Sequence, residues 1–219
     1  MLSKPDAIIF DWDDTLVSSW QVVKAAVNKT LLAFGREAWS EEEARNRIGP
    51  PAKVLFTELF GADNWQQADE IYLKAYQDSI GDNIKLYDVA IDIFEWANQH
   101  QVKLFIVSAK RGSLLRKEAE TLGISGYFEK IVGTGDAVED KPSNASVCFA
   151  LENSKIDVNK NEIWFVGDGI SDLKCAYNSD TKPILIESKL ASEDKIAEFP
   201  PVKRFKNLIE FKEYLFSFL

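Results

Sequence analysis

From residue 88 onward, short apolar runs alternate with amphipathic stretches, and this alternation limits the possible folds more than any other feature of the chain. VKLFIVS, KIVG, EIWFVGD and PILIE have strand-like length and β-branched content, and helical periodicity fills 89–99, 113–122 and the segments after Pro142 and after Ile170. Strands separated by helices imply an α/β fold, a doubly wound, Rossmann-like parallel sheet covered on both faces. AIIF, ending at residue 10, reads as a further buried strand at the start.

The stretch between that first strand and residue 84 has a different texture. Val23, Val27 and Leu31 repeat at helical spacing up to Gly35, and Ser40 with Glu43 forms a capping box that opens a second helix. Pro50 and Pro51 open a third, closed by Gly61, and a fourth spans 64–80. No strand signal interrupts them. The expected organisation is therefore an α/β core of residues 1–16 and 85–219, with residues 17–84 as an inserted helical cap. The last segment, RFKNLIEFKEYLFSFL, places Phe205, Leu208, Phe211, Leu215 and Phe218 at helical spacing and is expected to pack as a final helix on the sheet or its edge.

Composition narrows the function classes. With 219 residues, 46% of them apolar, the chain can bury a substantial core. A net charge of -9 and a pI near 4.8, with no basic cluster, argue against a nucleic acid or anionic membrane partner and favour a small molecule. No run approaches the ~20 apolar residues of a membrane span, and no apolar leader opens the chain, so a soluble cytoplasmic protein is expected. No apolar stripe remains once the core helices are assigned, which suggests a monomer. Cys148 and Cys175, on helical patterns without metal-ligand spacing, are expected to be small buried apolar residues. The single histidine, His100, falls at a helix end, which leaves no histidine cluster for zinc and no evident nucleophile–histidine dyad.

In an open parallel sheet, ligands bind beyond the carboxyl ends of the strands. At those ends stand Asp11, Trp12 and Asp13; Ser108, Ala109 and Lys110; Asp140, Lys141 and Pro142; and Gly167, Asp168 and Gly169, with Asp172 close behind. Strand alternation predicts Asp11 and Asp13 on one side and Trp12 on the other, with Asp168 joining from a neighbouring strand. Clustered carboxylates need a cation, and hard oxygen ligands without sulfur or imidazole favour Mg²⁺. Ser108 can donate a hydrogen bond and Lys141 a positive charge to the same anion, which makes a phosphoryl site in which Asp11 can attack phosphorus. Taken singly, each of these aspartates is an ordinary cap or turn residue and Lys141 an ordinary surface lysine; the combination is what points to chemistry.

IIFDWDDTL, IVSAK, the lysine of EDKPSNA, and WFVGDGISD, in this order, resemble the four motifs of the haloacid dehalogenase-like superfamily over nearly the whole chain. The helical insertion looks like the cap that members carry after the first motif, and RIGPPAKVLFTELFG is similar to a cap segment of phosphoglycolate phosphatase-like members. The resemblance implies that Asp11 is the nucleophile that forms an aspartyl-phosphate. It implies that Asp13 protonates the leaving alkoxide and then activates water, and that Ser108 and Lys141 hold the phosphoryl group, with residue 109 beside them. Mg²⁺ would be bound by Asp168, the Asp11 carboxylate and the Asp13 main-chain carbonyl, with Asp172 completing or orienting the shell.

Three positions depart from the pattern. Asp14 stands where many members have glycine and is expected to cap the following helical turn or to face the insertion. Ala109 replaces a frequent asparagine and removes a polar contact, and Ser18 replaces a frequent acidic residue. In the insertion, Trp20, Trp39 and Trp65 read as core and Arg47 and Lys53 as a solvated face, with pocket and substrate roles as the alternatives. The function expected is a Mg²⁺-dependent phosphatase acting on a small phosphorylated metabolite. A phosphomutase would use the same machinery. Carbon–halogen hydrolysis needs neither Asp13 nor the Asp168/Asp172 pair, a receiver domain has no place for the insertion, and a binding-only protein would not need the full catalytic set.

Overall fold

The computed structural model describes residues 2–80, 84–188 and 193–218. The chain divides into two compact units, Met1–Val17 with Leu86–Leu219, and Ser18–Lys85. In chain order it forms β1 (Ala7–Phe10), β2 (Val17–Ser18), α1 (Trp20–Ala33), α2 (Glu41–Arg47), α3 (Ala52–Phe60), α4 (Trp65–Ile80) and β3 (Lys85–Leu86). There follow α5 (Ala90–Gln99), β4 (Lys103–Arg111), α6 (Gly112–Thr121), β5 (Lys130–Thr134), α7 (Asn144–Leu151), β6 (Ile163–Gly167) and α8 (Ile170–Asn178). The last elements are β7 (Lys182–Ile186), α9 (Glu193–Glu198), β8 (Lys203–Phe205) and α10 (Leu208–Phe216).

The first unit is built on a parallel six-stranded sheet in the order β5-β4-β1-β6-β7-β8. β1 lies between β4, where Phe10 pairs with Ile106, and β6, where Phe10 pairs with Val166. All four of its residues are buried, as expected of a strand covered on both faces. Alternate residues divide between two cores. Ala7, Ile9, Phe105, Val107, Ile163 and Phe165 pack with Val147, Ala150, Cys175 and Ala176 of α7 and α8. On the opposite face Phe10 meets Phe94 of α5 and Phe211 of α10, and Trp164 also meets Phe211, with ring centroids 6.0–6.4 Å apart. The strand order runs outward from β1 through β4 to β5, then restarts on its other side with β6, so the carboxyl end of β1 is a topological switch point.

The second unit is helical. α2 begins with the capping box, in which Ser40 Oγ accepts from the Glu43 N–H and the Glu43 carboxylate from the Ser40 N–H. Pro51 caps α3, and Gly61 follows it at φ +86°. The buried face of α1 includes Val22, Ala26, Val27, Thr30 and Leu31, so Val27 and Leu31 of the expected stripe are buried while Val23, at its edge, is only half-buried. Trp20 and Trp39 are buried and Trp65 half-buried. Arg47 and Lys53 are exposed, as expected of a solvated face, and each lies over an indole, Trp39 at 5.1 Å and Trp65 at 5.3 Å.

Other differences from the sequence reading are local. β2 and β3 form a two-residue ribbon, too short to leave a periodic signal. Phe205 belongs to the edge strand β8 rather than to the final helix, and the helix ends before Phe218. The run of aromatics at helical spacing conceals a strand followed by a turn, because Asn207 caps α10 through the Glu210 N–H. Cys148 is exposed while Cys175 is buried, and both are free thiols. His100 caps α5, its Nδ1 2.8 Å from the Trp96 carbonyl and its ring stacked on Trp96. Among the described residues no helix is long and apolar enough to cross a membrane.

Candidate active site

β1 ends at Phe10, but the Asp11 N–H still donates to the Val166 carbonyl at 2.9 Å, which places Asp11 on the switch point. Its carboxylate is buried, and Lys141 Nζ, contributed by the segment between β5 and α7, donates to Asp11 Oδ1 at 2.6 Å. The same ammonium donates to Asp172 Oδ1 on α8 at 2.5 Å and to the Val107 carbonyl of β4 at 3.3 Å. Asp172 Oδ2 accepts from the Gly169 N–H at 2.8 Å, so the first turn of α8 holds that carboxylate in place. Gly167 leaves room for it: a Cβ there would overlap the Asp172 carboxyl, and the missing side chain lets helix and strand close together.

Asp168 completes the group. One oxygen from each of Asp11, Asp168 and Asp172 lies within 4.8 Å of the others. Thr15 Oγ1 approaches Asp168 Oδ1 at 3.5 Å, and Ser188 Oγ donates to its carbonyl at 3.0 Å. Asp168 Oδ2 is buried without a hydrogen-bond partner among the described residues. Lys141 thus bridges two of three clustered buried carboxylates. Burial raises the Asp11 carboxyl from 3.8 to about 7, with Lys141 opposing the shift and Asp172 reinforcing it. Burial, then Asp172 and Asp11, raise Asp168 well above the ordinary range. Burial pulls Lys141 down, but Asp11 and Asp172 outweigh it and hold the ammonium charged. Excess buried negative charge, hard oxygen donors and an orphaned carboxylate oxygen fit a divalent cation such as Mg²⁺.

Ser108 is buried near the end of β4, two residues beyond the partner of Phe10, and its Oγ accepts from the Lys110 N–H at 3.2 Å. Ala109 accepts from Thr134 Oγ1 at 2.9 Å through its carbonyl; its methyl offers no polar contact. Between Val107 and Arg111, β4 takes four steps where β5 takes two, from Val132 to Thr134, so Ser108–Lys110 bulge out of the ladder.

Asp13 behaves differently from the strand-alternation expectation. Its carboxylate lies outside the Asp11/Asp168/Asp172 group and accepts from Lys110 Nζ at 2.7 Å. Lys110 also donates to Glu118 on α6 at 2.7 Å, and the Trp12 indole donates to the same Glu118 oxygen at 2.7 Å. Trp12 and Asp13 therefore converge on one network instead of facing opposite ways, because the strand has ended and its period of two no longer applies. Asp14 does not cap a helix, since Ser19 is the residue before α1. It occupies the left-handed region at φ +57° in a tight turn, its N–H on the Val17 carbonyl at 2.7 Å. That conformation favours glycine and is tolerated by aspartate. Sequence reasoning placed Trp12 and Lys110 at the strand ends without assigning them partners, and it missed Thr15, Glu118 and Ser188.

Residues 8–186 match the family profile described as Haloacid dehalogenase-like hydrolase. A phosphoglycolate phosphatase of Aquifex aeolicus is 30% identical over 178 residues, covering 81% of this chain and 83% of its own. A pyrophosphatase of Listeria monocytogenes is 24% identical over 92% of both chains. The solved structure of a haloacid dehalogenase-like family hydrolase from Streptococcus pneumoniae superposes with a TM-score of 0.81 over 95% of this chain and 97% of that one, at 22% identity. The profile spans all the strands that bring Asp11, Ser108, Lys141 and Asp168 to the switch point, and on that match this chain belongs to the haloacid dehalogenase-like hydrolase family.

Proposed function

We propose that the protein is a Mg²⁺-dependent phosphatase that hydrolyses a small phosphorylated metabolite through an aspartyl-phosphate on Asp11. The observation that carries this reading is the buried switch-point group, in which Lys141 bridges Asp11 and Asp172 while Asp168 stands beside them. An Asp11 oxygen attacks phosphorus, the ester P–O bond breaks, and Asp13 gives its proton to the leaving alkoxide. A water then gives a proton back to Asp13 and attacks the phosphorus, which releases inorganic phosphate and regenerates Asp11. Ser108 and Lys141 hold the transferring group. Lys141 also offsets charge beside the nucleophile.

Mg²⁺ would be held by Asp11, Asp168 and the Asp13 main-chain carbonyl, and would supply positive charge where the phosphoryl oxygens accumulate negative charge. Asp172, whose two oxygens already accept from Lys141 and Gly169, orients the lysine and the shell. The helical unit of residues 18–85 acts as the cap that selects the leaving group. Hydrolysis is preferred to a mutase reaction because the named relatives are phosphatases, and phosphoglycolate and pyrophosphate both belong in the screen.

Phosphate release from p-nitrophenyl phosphate, 2-phosphoglycolate and pyrophosphate is expected only with Mg²⁺; turnover that persists in EDTA sinks the metal-dependent reading. Thermal melts give a second readout. At a hundredfold excess over its Kd, Mg²⁺ stabilises by about 2.7 kcal/mol, a shift of several degrees. That shift is expected at pH 8 and should shrink toward pH 5 as Asp11, raised to about 7, takes up a proton that competes with the cation. A shift equal at both pH values places the cation elsewhere.

A further inference from the structure

Beside the carboxylates bridged by Lys141 lies a second buried polar network. Lys110, with a side chain 5% exposed, lies between Asp13 and Glu118, itself 2% exposed, at 2.7 Å from each. Trp12, fully buried, donates its indole N–H to Glu118 Oε2, the oxygen that also binds Lys110. Glu118 Oε1 is buried with no hydrogen-bond partner among the described residues. A buried carboxylate that takes both donors on one oxygen and leaves the other orphaned destabilises the fold relative to an apolar side chain of similar size. Such an arrangement is better explained by what it holds. It holds a lysine in the β4 bulge, whose other bond goes to Asp13, which has a side chain 30% exposed and lies two residues beyond Asp11.

We propose that Trp12, Glu118 and Lys110 are positioning residues for Asp13, fixing its carboxyl where it delivers a proton to the leaving group. The inference rests on Asp13 being the acid in the reaction proposed above. Trp12 orients Glu118, Glu118 anchors the flexible lysine stem, and Lys110 tethers Asp13 Oδ1. None of the three touches the phosphoryl group in this scheme; they act through Asp13, and loss of alignment at such a distance lowers rate rather than ground-state binding.

Leaving-group dependence separates this role from a structural one. A nitrophenolate departs without a proton, whereas an alkoxide requires one, so only the alkyl substrate depends strongly on the acid. The experiment compares kcat for β-glycerol phosphate with kcat for p-nitrophenyl phosphate in the Mg²⁺-loaded native protein and in Asp13→Asn, Glu118→Gln and Trp12→Phe. Asp13→Asn is expected to lower the alkyl-to-aryl ratio by roughly 100-fold or more, and Glu118→Gln by roughly tenfold, with Trp12→Phe in the same direction. In the Asp13→Asn background, Glu118→Gln should lower the ratio no further. Trp12→Phe keeps the inference testable if Glu118→Gln does not fold. If Asp13→Asn loses the ratio while both network variants retain it, the positioning role is wrong and the phosphatase reading stands. If Asp13→Asn itself retains the ratio, the acid assignment fails and this inference with it.

Discussion

Asp11→Asn is expected to abolish phosphate release, by at least ~10³-fold in kcat, while the metal-free protein stays folded and at pH 8 is at least as stable as the native chain. The first half follows from chemistry, because an amide cannot form the acyl phosphate. The second follows from burial. The Asp11 carboxyl is raised from 3.8 to about 7, first by burial, with Lys141 opposing and Asp172 adding to the rise. A group whose folded pKa exceeds its unfolded value costs nothing well below the unfolded pKa and destabilises increasingly as pH rises through the interval, here from about 4 to about 7. Asparagine removes that cost and keeps the shape, and Lys141 retains Asp172 as its counter-ion. Stopped and steady-state assays, with urea melts at pH 5 and pH 8, check both parts. Residual turnover within tenfold of native would mean that another residue is the nucleophile, and a variant far less stable than native at pH 8 would mean that the carboxylate is satisfied rather than strained.

The parallel sheet was legible because its strands are buried on both faces and therefore appear as unbroken apolar runs, and because Gly, Pro and capping residues punctuate the helices between them. The aspartates and Lys141 were legible because strand ends in such a sheet converge by topology, whatever lies between them in sequence. What was not legible begins where a period stops applying. Past Phe10 the chain turns, so Trp12 and Asp13 meet the same network. Past Val107 the β4 strand bulges, and Lys110, in that bulge, binds Asp13 and Glu118, a direction that the strand pattern leaves undetermined. Glu118 did leave a trace: it interrupts the stripe of Leu114, Leu115 and Ala119 on the buried face of α6, and a glutamate on an apolar stripe asks for a partner. The positive φ of Asp14 is marked only indirectly, by the glycine that many family members carry at that position, since aspartate by itself does not announce a left-handed turn.

Lys141→Met is expected to damage stability as well as catalysis, which distinguishes it from Asp11→Asn. The ammonium is the counter-ion shared by Asp11 and Asp172, and Asp168 beside them has an oxygen with no partner among the described residues. Removing one member of a buried charged group leaves the others uncompensated and typically costs about 3–5 kcal/mol, or roughly 10 °C in thermal midpoint for a chain of this size. The sign with pH follows from the carboxylates. Burial already raises Asp11 and Asp168, and loss of the nearby positive charge raises Asp11 further. The penalty then grows as pH rises between the unfolded and folded values, so the variant should lose most at pH 8 and recover toward pH 5, where protons take the place of the missing charge. Mg²⁺ should restore part of the midpoint at pH 8, since a divalent cation offsets the same carboxylates, but not turnover, since the phosphoryl group has lost the donor that positions it. Paired melts at the two pH values, with Mg²⁺ and with EDTA, are the measurement. A midpoint at pH 8 equal to that of the native protein would show that the carboxylates do not depend on Lys141, and the charge balance assigned to the switch point would then be wrong.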